Sequence, residues 1–220
     1  MAPTLGYTHA RGLAQHIRNL LVYKGIPFED KQYKTGPAPD FDRSDWTNVQ
    51  FTLGLKFPNL PYFIDGDVKM TQSVAIIRHL GRKYDLAART EEEAMELDQL
   101  EQQAKDLLWG LAMTAMNPAF ETARTRYEKN LGNLLKPWAE HLRERRWVMG
   151  DRLTYVDFIA HEALDWNRAF KPEAFEEYPE LVEYLQRFRA LPNMEEYMAS
   201  EAYRAMPLLG PQAKWGGKPF

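Results

Sequence analysis

Between Phe57 and Ser73 the chain places two prolines, an Asp-Gly-Asp turn and the start of a helical apolar period in close succession, and this stretch constrains everything around it. Tyr62, Phe63 and Ile64 are strand formers. Pro61 bounds them on one side, and Asp65-Gly66-Asp67, the chemistry of a tight hairpin, bounds them on the other. Val68 to Met70 supplies the returning strand. A helix is expected to open at Thr71, because Val74, Ile76, Ile77 and Leu80 recur with the helical period. Pro61 cannot donate to a sheet ladder, so Asn59-Leu60-Pro61 predicts a specialised turn that a cis peptide bond would suit. The free backbone groups of Leu60 then stand near a helix N-terminus carrying Gln72 and Ser73. Such a corner suits a carboxylate, or an extended peptide paired to Leu60 as an added strand. The same residues also make an ordinary hairpin followed by a capped helix, and both readings stand on the local pattern.

Ahead of this stretch, Leu5-Gly6-Tyr7 ends a first strand, and Leu13, Ile17, Leu20 and Leu21 share one face of a helix expected over Gly12–Lys24 and stopped by Gly25. The next strand is expected from Ile26-Pro27-Phe28 to Tyr33. This makes a βαβ unit whose strands should be parallel neighbours. Thr35 to Asp42 holds a glycine, two prolines and two aspartates, so it predicts a surface loop, followed by a short helical piece from Ser44 through Trp46.

From Asp85 to Thr90 the chain is a polar bridge, and all that follows is helical. Glu91, Glu92 and Glu93 suit the positive end of a helix whose stripe is Leu97, Leu100, Leu107, Leu108 and Leu111. Asn117-Pro118 breaks it, and a second long helix carries Tyr127, Leu131, Leu135, Trp138 and Leu142 towards Gly150, packed antiparallel to the first. Thr154 and Asp157 form a capping pair, with Leu153 and Phe158 as the staple. They open a helix that is apolar nearly all round and so belongs in a core. Pro179 and Pro192 start or separate shorter helices, and an apolar extended tail runs past Met206 towards Trp215.

Composition removes several function classes. With a formal net charge of −3, nucleic acid and anionic membrane surface are poor partners. Met1-Ala2-Pro3-Thr4 leads straight into a strand, which makes a cytoplasmic location the expectation. The absence of cysteine excludes disulfides, zinc thiolates and cysteine nucleophiles, so any thiol chemistry acts on a thiol the protein binds. The histidines show no metal spacing, and no metal is expected.

The chain resembles the cytosolic glutathione transferases, specifically the mu class. The resemblance spans nearly the whole length. It rests on Leu5-Gly6-Tyr7 with Arg11-Gly12-Leu13-Ala14-Gln15, the loop from Gly36 to Trp46, the stretch from Gly54 to Ile64, Thr71-Gln72-Ser73, and Tyr155-Val156-Asp157-Phe158. The proline-rich loop is the part that resembles mu in particular. The resemblance implies an α/β plus all-α architecture. Residues 1–84 would form a thioredoxin-like βαβ-ββα domain holding glutathione, 85–90 a linker, and 91–220 an all-helical domain with a hydrophobic pocket and C-terminal tail. It also implies a homodimer that conjugates glutathione, its co-substrate, to small hydrophobic electrophiles in detoxification.

In that family the tyrosine matching Tyr7 donates its phenolic hydrogen to the glutathione sulfur and keeps it as thiolate. A thiol titrating near 8.5 needs about 2.7 kcal/mol of selective stabilisation to reach roughly 6.5. One hydrogen bond to a charged group supplies roughly 1.5 to 3 kcal/mol. The resemblance further assigns Gln72 and Ser73 to the γ-glutamyl group, Leu60 beside Pro61 to the cysteinyl backbone, and Leu13, Trp46, Gln50 and Asn59 to other glutathione contacts. Asp106 would serve the γ-glutamyl amine of the neighbouring subunit. Thr8, Leu13, Leu108, Ala112, Met116 and Leu209 would line the electrophile pocket, and Phe57 would be an aromatic key inserted into the partner.

The chain departs from the mu pattern at Thr8, where that class has tryptophan, at Gln50, where it has lysine, and at Met116, where it has a second tyrosine. Thr8 offers no indole wall, Gln50 no cation for the glycine carboxylate, and Met116 no hydroxyl for a leaving group. His16 stands where mu members have proline, and a surface position is expected for it. These departures motivate an alternative reading, a catalytically weakened protein on the same fold that carries hydrophobic ligands.

Overall fold

The computed structural model describes residues 2–219. By its packing the chain divides into two compact units, one made of the residues through Leu80 together with those from Pro192 onward, the other of Gly81–Leu191. This division differs from the sequential one expected at residues 85–90, because the tail packs with the sheet unit.

The sheet unit is built on β1 (Thr4–Thr8), α1 (Gln15–Tyr23), β2 (Glu29–Tyr33), α2 (Ser44–Thr47), β3 (Tyr62–Asp65), β4 (Val68–Thr71) and most of α3 (Ser73–Lys83). The strand order is β2-β1-β3-β4. β1 and β2 are parallel, as a βαβ unit requires, and β3 and β4 run antiparallel about the Asp65-Gly66-Asp67 turn. Gly25, in the left-handed region at φ 63°, closes α1, its N–H and that of Ile26 returning to Val22 and Leu21. Helix α3 opens two residues later than the apolar period suggested. Thr71 remains in β4, paired with Tyr62, and Gln72 alone makes the turn into the helix.

Leu5, Ile17, Leu20, Leu21, Phe63, Ile76, Ile77 and Leu80 are buried, joining sheet and helices in one core. A second cluster of Tyr33, Trp46, Leu55 and Tyr62 holds the loop after β2. It fits only because position 6 is glycine: a Cβ there would meet the Tyr62 ring at 2.1 Å. In the tail, α8 (Met194–Ala199) packs on α1, and α9 (Glu201–Arg204) follows. The Arg11 and Gly12 N–H groups, which precede α1 and have no helical partner, donate to the Pro207 and Leu208 carbonyls at 2.8 and 2.9 Å.

The second unit contains α4 (Glu91–Ala115), α5 (Phe120–Leu142), α6 (Tyr155–Phe170), a 3-10 turn (Pro172–Phe175) and α7 (Pro179–Arg189). The chain leaves α5 at Leu142 rather than near Gly150, and isolated bridges Trp147–Gly150 and Met149–Arg152 shape the entry to α6. The Thr154/Asp157 capping box is present, and Tyr155 through Leu164 is buried. Asp157 accepts from the backbone N–H groups of Val148 and Thr154 at 2.9 and 2.8 Å and from the Tyr184 hydroxyl at 3.1 Å. No helix among the described residues is long and apolar enough to cross a membrane.

Candidate functional site

Tyr7 sits one residue from the end of β1, half-buried, with its phenolic oxygen accepting the Leu13 backbone N–H at 3.1 Å. Gly12 makes this approach possible. Its φ of 42° disfavours any side chain, and a Cβ would lie 2.5 Å from the Tyr7 ring and hydroxyl. Burial pushes the Tyr7 phenol above its ordinary pKa, opposed by the Leu13 N–H, the Arg18 charge, a hydrogen bond with Thr8 and the Arg43 charge. The phenol is therefore protonated at neutral pH. With its oxygen already an acceptor, its hydrogen is available to an outside acceptor such as a thiolate sulfur.

Arg18 was not singled out from the sequence, because Gln15 through Leu21 is buried throughout and no spacing marks the cation. Its side chain is fully buried; Nε donates to Asp30 Oδ1 at 3.0 Å and Nη1 to the Ala10 carbonyl at 2.9 Å. His16 is also buried, at 2 % exposure, which overturns the surface position expected for it.

The turn before β3 contains a cis Leu60–Pro61 peptide, and Ala38–Pro39 is cis as well. The Leu60 N–H is not free as expected. Asn59 Oδ1 accepts it at 2.8 Å, standing where a ligand carbonyl would pair. Gln72 adopts φ 74°, a left-handed conformation uncommon for a residue with a side chain. Its carbonyl accepts the Ile76 N–H at 3.0 Å and so starts α3, with Gln72 exposed and Ser73 half-buried. No acidic side chain occupies the first turn of α3, which leaves the positive end of its dipole to an incoming carboxylate.

Trp46 is 4 % exposed and stacks on Tyr62, with ring centroids 5.9 Å apart. Gln50 is half-buried, and its amide reaches back to the Thr47 carbonyl at 3.4 Å. Phe57 is 68 % exposed and so is no core residue. Leu209 donates its N–H to the Gly216 carbonyl. Tyr7, Thr8, Leu13, Trp46, Gln50, Asn59, Leu60, Gln72, Ser73 and Leu209 thus all belong to the sheet unit.

The remaining expected residues lie on α4 and at its end. Asp106 is exposed, Met116 is the exposed C-cap, and Leu108 and Ala112 are buried. The exposed apolar side chains of this stretch are Trp109 and Met113, which with Met116 form one face at i, i+4 and i+7. Leu108 carries two expectations, a core stripe position from the helical period and a pocket position implied by the resemblance; Trp109 carries neither, and its position one residue off the stripe is the signal for its exposure.

Two family models match, described as glutathione S-transferase N-terminal domain over residues 3–82 and glutathione S-transferase C-terminal domain over residues 105–201. A "Glutathione S-transferase" of Mesocricetus auratus is 45% identical over 218 residues, covering 99% of this chain and 100% of its own. "Glutathione S-transferase Mu 7" of Rattus norvegicus is likewise 45% identical, over 99% of this chain and 100% of its own. Among solved structures, the glutathione S-transferase Blo t 8 is 36% identical with a TM-score of 0.89, over 97% of this chain and 99% of that one. A pi-class glutathione S-transferase of Onchocerca volvulus is 29% identical with a TM-score of 0.85, over 99% and 100%.

Proposed function

The chain belongs to the glutathione S-transferases, in the mu class, and from that premise we infer that it adds the glutathione thiolate to hydrophobic electrophiles, with Tyr7 holding the sulfur as thiolate. The carrying observation is the Tyr7 phenol, whose oxygen accepts the Leu13 N–H and whose hydrogen is left for the sulfur. Glutathione lies extended along the turn at Leu60, displacing Asn59 Oδ1 from the Leu60 N–H, with its γ-glutamyl carboxylate at Gln72 and Ser73. Trp46, Gln50 and Asn59 serve the rest of the peptide. The electrophile contacts are Thr8, Leu13 and Leu209 on the sheet unit and Leu108, Ala112 and Met116 on α4 or at its end. The exposure of Phe57 supports a homodimer in which it enters the partner, with Asp106 reaching the partner's γ-glutamyl amine. The cytoplasm is the proposed location. No observation favours the ligand-carrying alternative. Steady-state turnover of chlorodinitrobenzene with glutathione tests this function, and an enzyme inert on it and on other aryl halides and enones would sink it.

Gly12→Ala is expected to lower kcat/KM on chlorodinitrobenzene about tenfold or more, because the new methyl group displaces the Tyr7 ring. The backbone strain alone costs roughly 1 to 3 kcal/mol. Activity within twofold of the parent would show that the ring does not depend on that gap.

Gln50→Lys is expected to act on binding alone. A charge-assisted contact to the glycine carboxylate is roughly twice as strong as a neutral one, and solvent reduces the gain to about 0.5 to 1 kcal/mol. The KM for glutathione should fall by a factor of a few with kcat unchanged, since the glycine end is bound alike in ground and transition states. An unchanged KM would mean that another residue holds that carboxylate.

A further inference from the structure

A cavity of about 450 Å³ opens within the sheet unit, and none of the glutathione contacts above lines it. Its polar side is Thr8, His9, Gln32, Lys34 and Thr35, at the ends of β1 and β2; its opposite wall is tail backbone and rings, including Pro207, Gly210 and Pro211. Among the described residues, the tail lines it with Ala205, Pro207, Gly210, Pro211, Gly217 and Pro219 and with no larger side chain. Thr8 is both a wall of this cavity and a hydrogen-bonding partner of the Tyr7 phenol, so the cavity adjoins that phenol.

The polar rim is held by a chain of contacts leading to a buried cation. Arg18 donates to Asp30 at 3.0 Å, Gln32 Nε2 donates to the other Asp30 oxygen at 2.7 Å, and Gln32 Oε1 meets His9 Nδ1 at 2.6 Å. Because a carboxylate only accepts, Gln32 must present its nitrogen to Asp30 and its oxygen to His9, so His9 Nδ1 carries a hydrogen. The imidazole is therefore fixed in orientation with Nε2 turned to other partners. The Lys34 ammonium has no ion-pair partner among the described residues. Asp45 accepts the Lys34 backbone N–H at 2.7 Å but does not line the cavity.

Among the described residues, one ammonium without an ion-pair partner lines the cavity beside its apolar wall, and no guanidinium or helix N-terminus does, which matches a single negative charge rather than a phosphate. We propose that this cavity is a subsite for the non-reacting end of the electrophile, and that it selects electrophiles bearing a carboxylate on an apolar body, anchored by Lys34 with His9 beside it. The proposal rests on Tyr7 being the thiolate-binding residue. For a chloronitrobenzoate, the sulfur forms a bond to the ring carbon that carries chlorine, and the C–Cl pair leaves with chloride. The carboxylate stays unchanged at Lys34, with the His9 imidazole beside it on the cavity's lining.

The experiment compares kcat/KM for a chloronitrobenzoate with that for the same ring bearing a carboxamide, each divided by its uncatalysed rate with glutathione. The parent should favour the carboxylate. Lys34→Gln should lower that preference about fivefold and Lys34→Arg should keep most of it, while both variants stay within about twofold of the parent on chlorodinitrobenzene. His9→Gln should lower the preference about two- to threefold. A carboxylate preference that is absent in the parent, or equal in parent and Lys34→Gln, overturns the subsite while normal chlorodinitrobenzene turnover leaves the conjugating function intact. Failure of the parent on every aryl halide would instead remove the function on which the subsite depends.

Discussion

Tyr7→Phe is expected to lower kcat/KM for chlorodinitrobenzene by about 10- to 100-fold while leaving glutathione affinity within a few-fold of the parent. The phenol's hydrogen bond to a charged sulfur is worth roughly 1.5 to 3 kcal/mol, and that stabilisation exists only for the thiolate. The same change should raise the pKa of enzyme-bound glutathione by roughly one to two units, visible as a shift of the thiolate absorbance titration. Phenylalanine also leaves the Leu13 N–H without the oxygen it donates to at 3.1 Å. A thermal melt separates any loss of fold from loss of chemistry. If bound glutathione titrates as in the parent and most turnover remains, Tyr7 is not the thiolate donor.

Asp157→Ala is expected to destabilise the helical unit by about 3 to 5 kcal/mol, the largest stability effect of the substitutions considered. Asp157 is fully buried and accepts from Val148, Thr154 and Tyr184, so its removal orphans several donors together with the cap of α6. Burial also pushes its carboxyl up from 3.8 to about 6, with the Val148 and Thr154 N–H groups, the Tyr184 hydroxyl and the Thr154 hydroxyl holding it back. Since the folded pKa lies above the unfolded one, the protonated form is favoured by folding. The associated stability is fully present below about pH 4 and is lost as pH rises through about 6, up to about 3 kcal/mol at 1.36 kcal/mol per unit. Asp157→Asn removes the titrating proton, so its urea midpoint should vary less than the parent's between about pH 4 and about pH 7. Parallel profiles for parent and Asp157→Asn would show that Asp157 does not titrate in that window.

Much of the fold is legible locally. The hairpin at Asp65-Gly66-Asp67, the βαβ opening and the Thr154/Asp157 capping box each join residues a few positions apart, or strands whose pairing the connection dictates. The site is legible only in part. Tyr7 and the turn at Leu60 follow from motif and strand pattern, but Gly12 matters through a gap of 2.5 Å to a ring on another element. Asn59 occupies the Leu60 N–H through a side-chain rotamer that no spacing encodes. Leu108 is buried as its place on the apolar stripe predicts, while the exposure of Trp109 one residue further on is set by the same helical step.

The sequence by itself determined the element order, the cap of α6, the turn that carries Leu60 and the position of the phenol, because those depend on backbone chemistry within a few residues. Only the tertiary structure decided that His16 and Arg18 lie in the core, that the tail from Pro192 packs with the sheet, and that His9, Gln32, Asp30 and Arg18 form one line of contacts beside a cavity. The physical reason is that a buried cation, and the N–H groups of Arg11 and Gly12, must find partners wherever the chain brings them. In this protein the partners come from β2, from the Ala10 carbonyl and from the Pro207–Leu208 backbone, a pairing that the local pattern does not express.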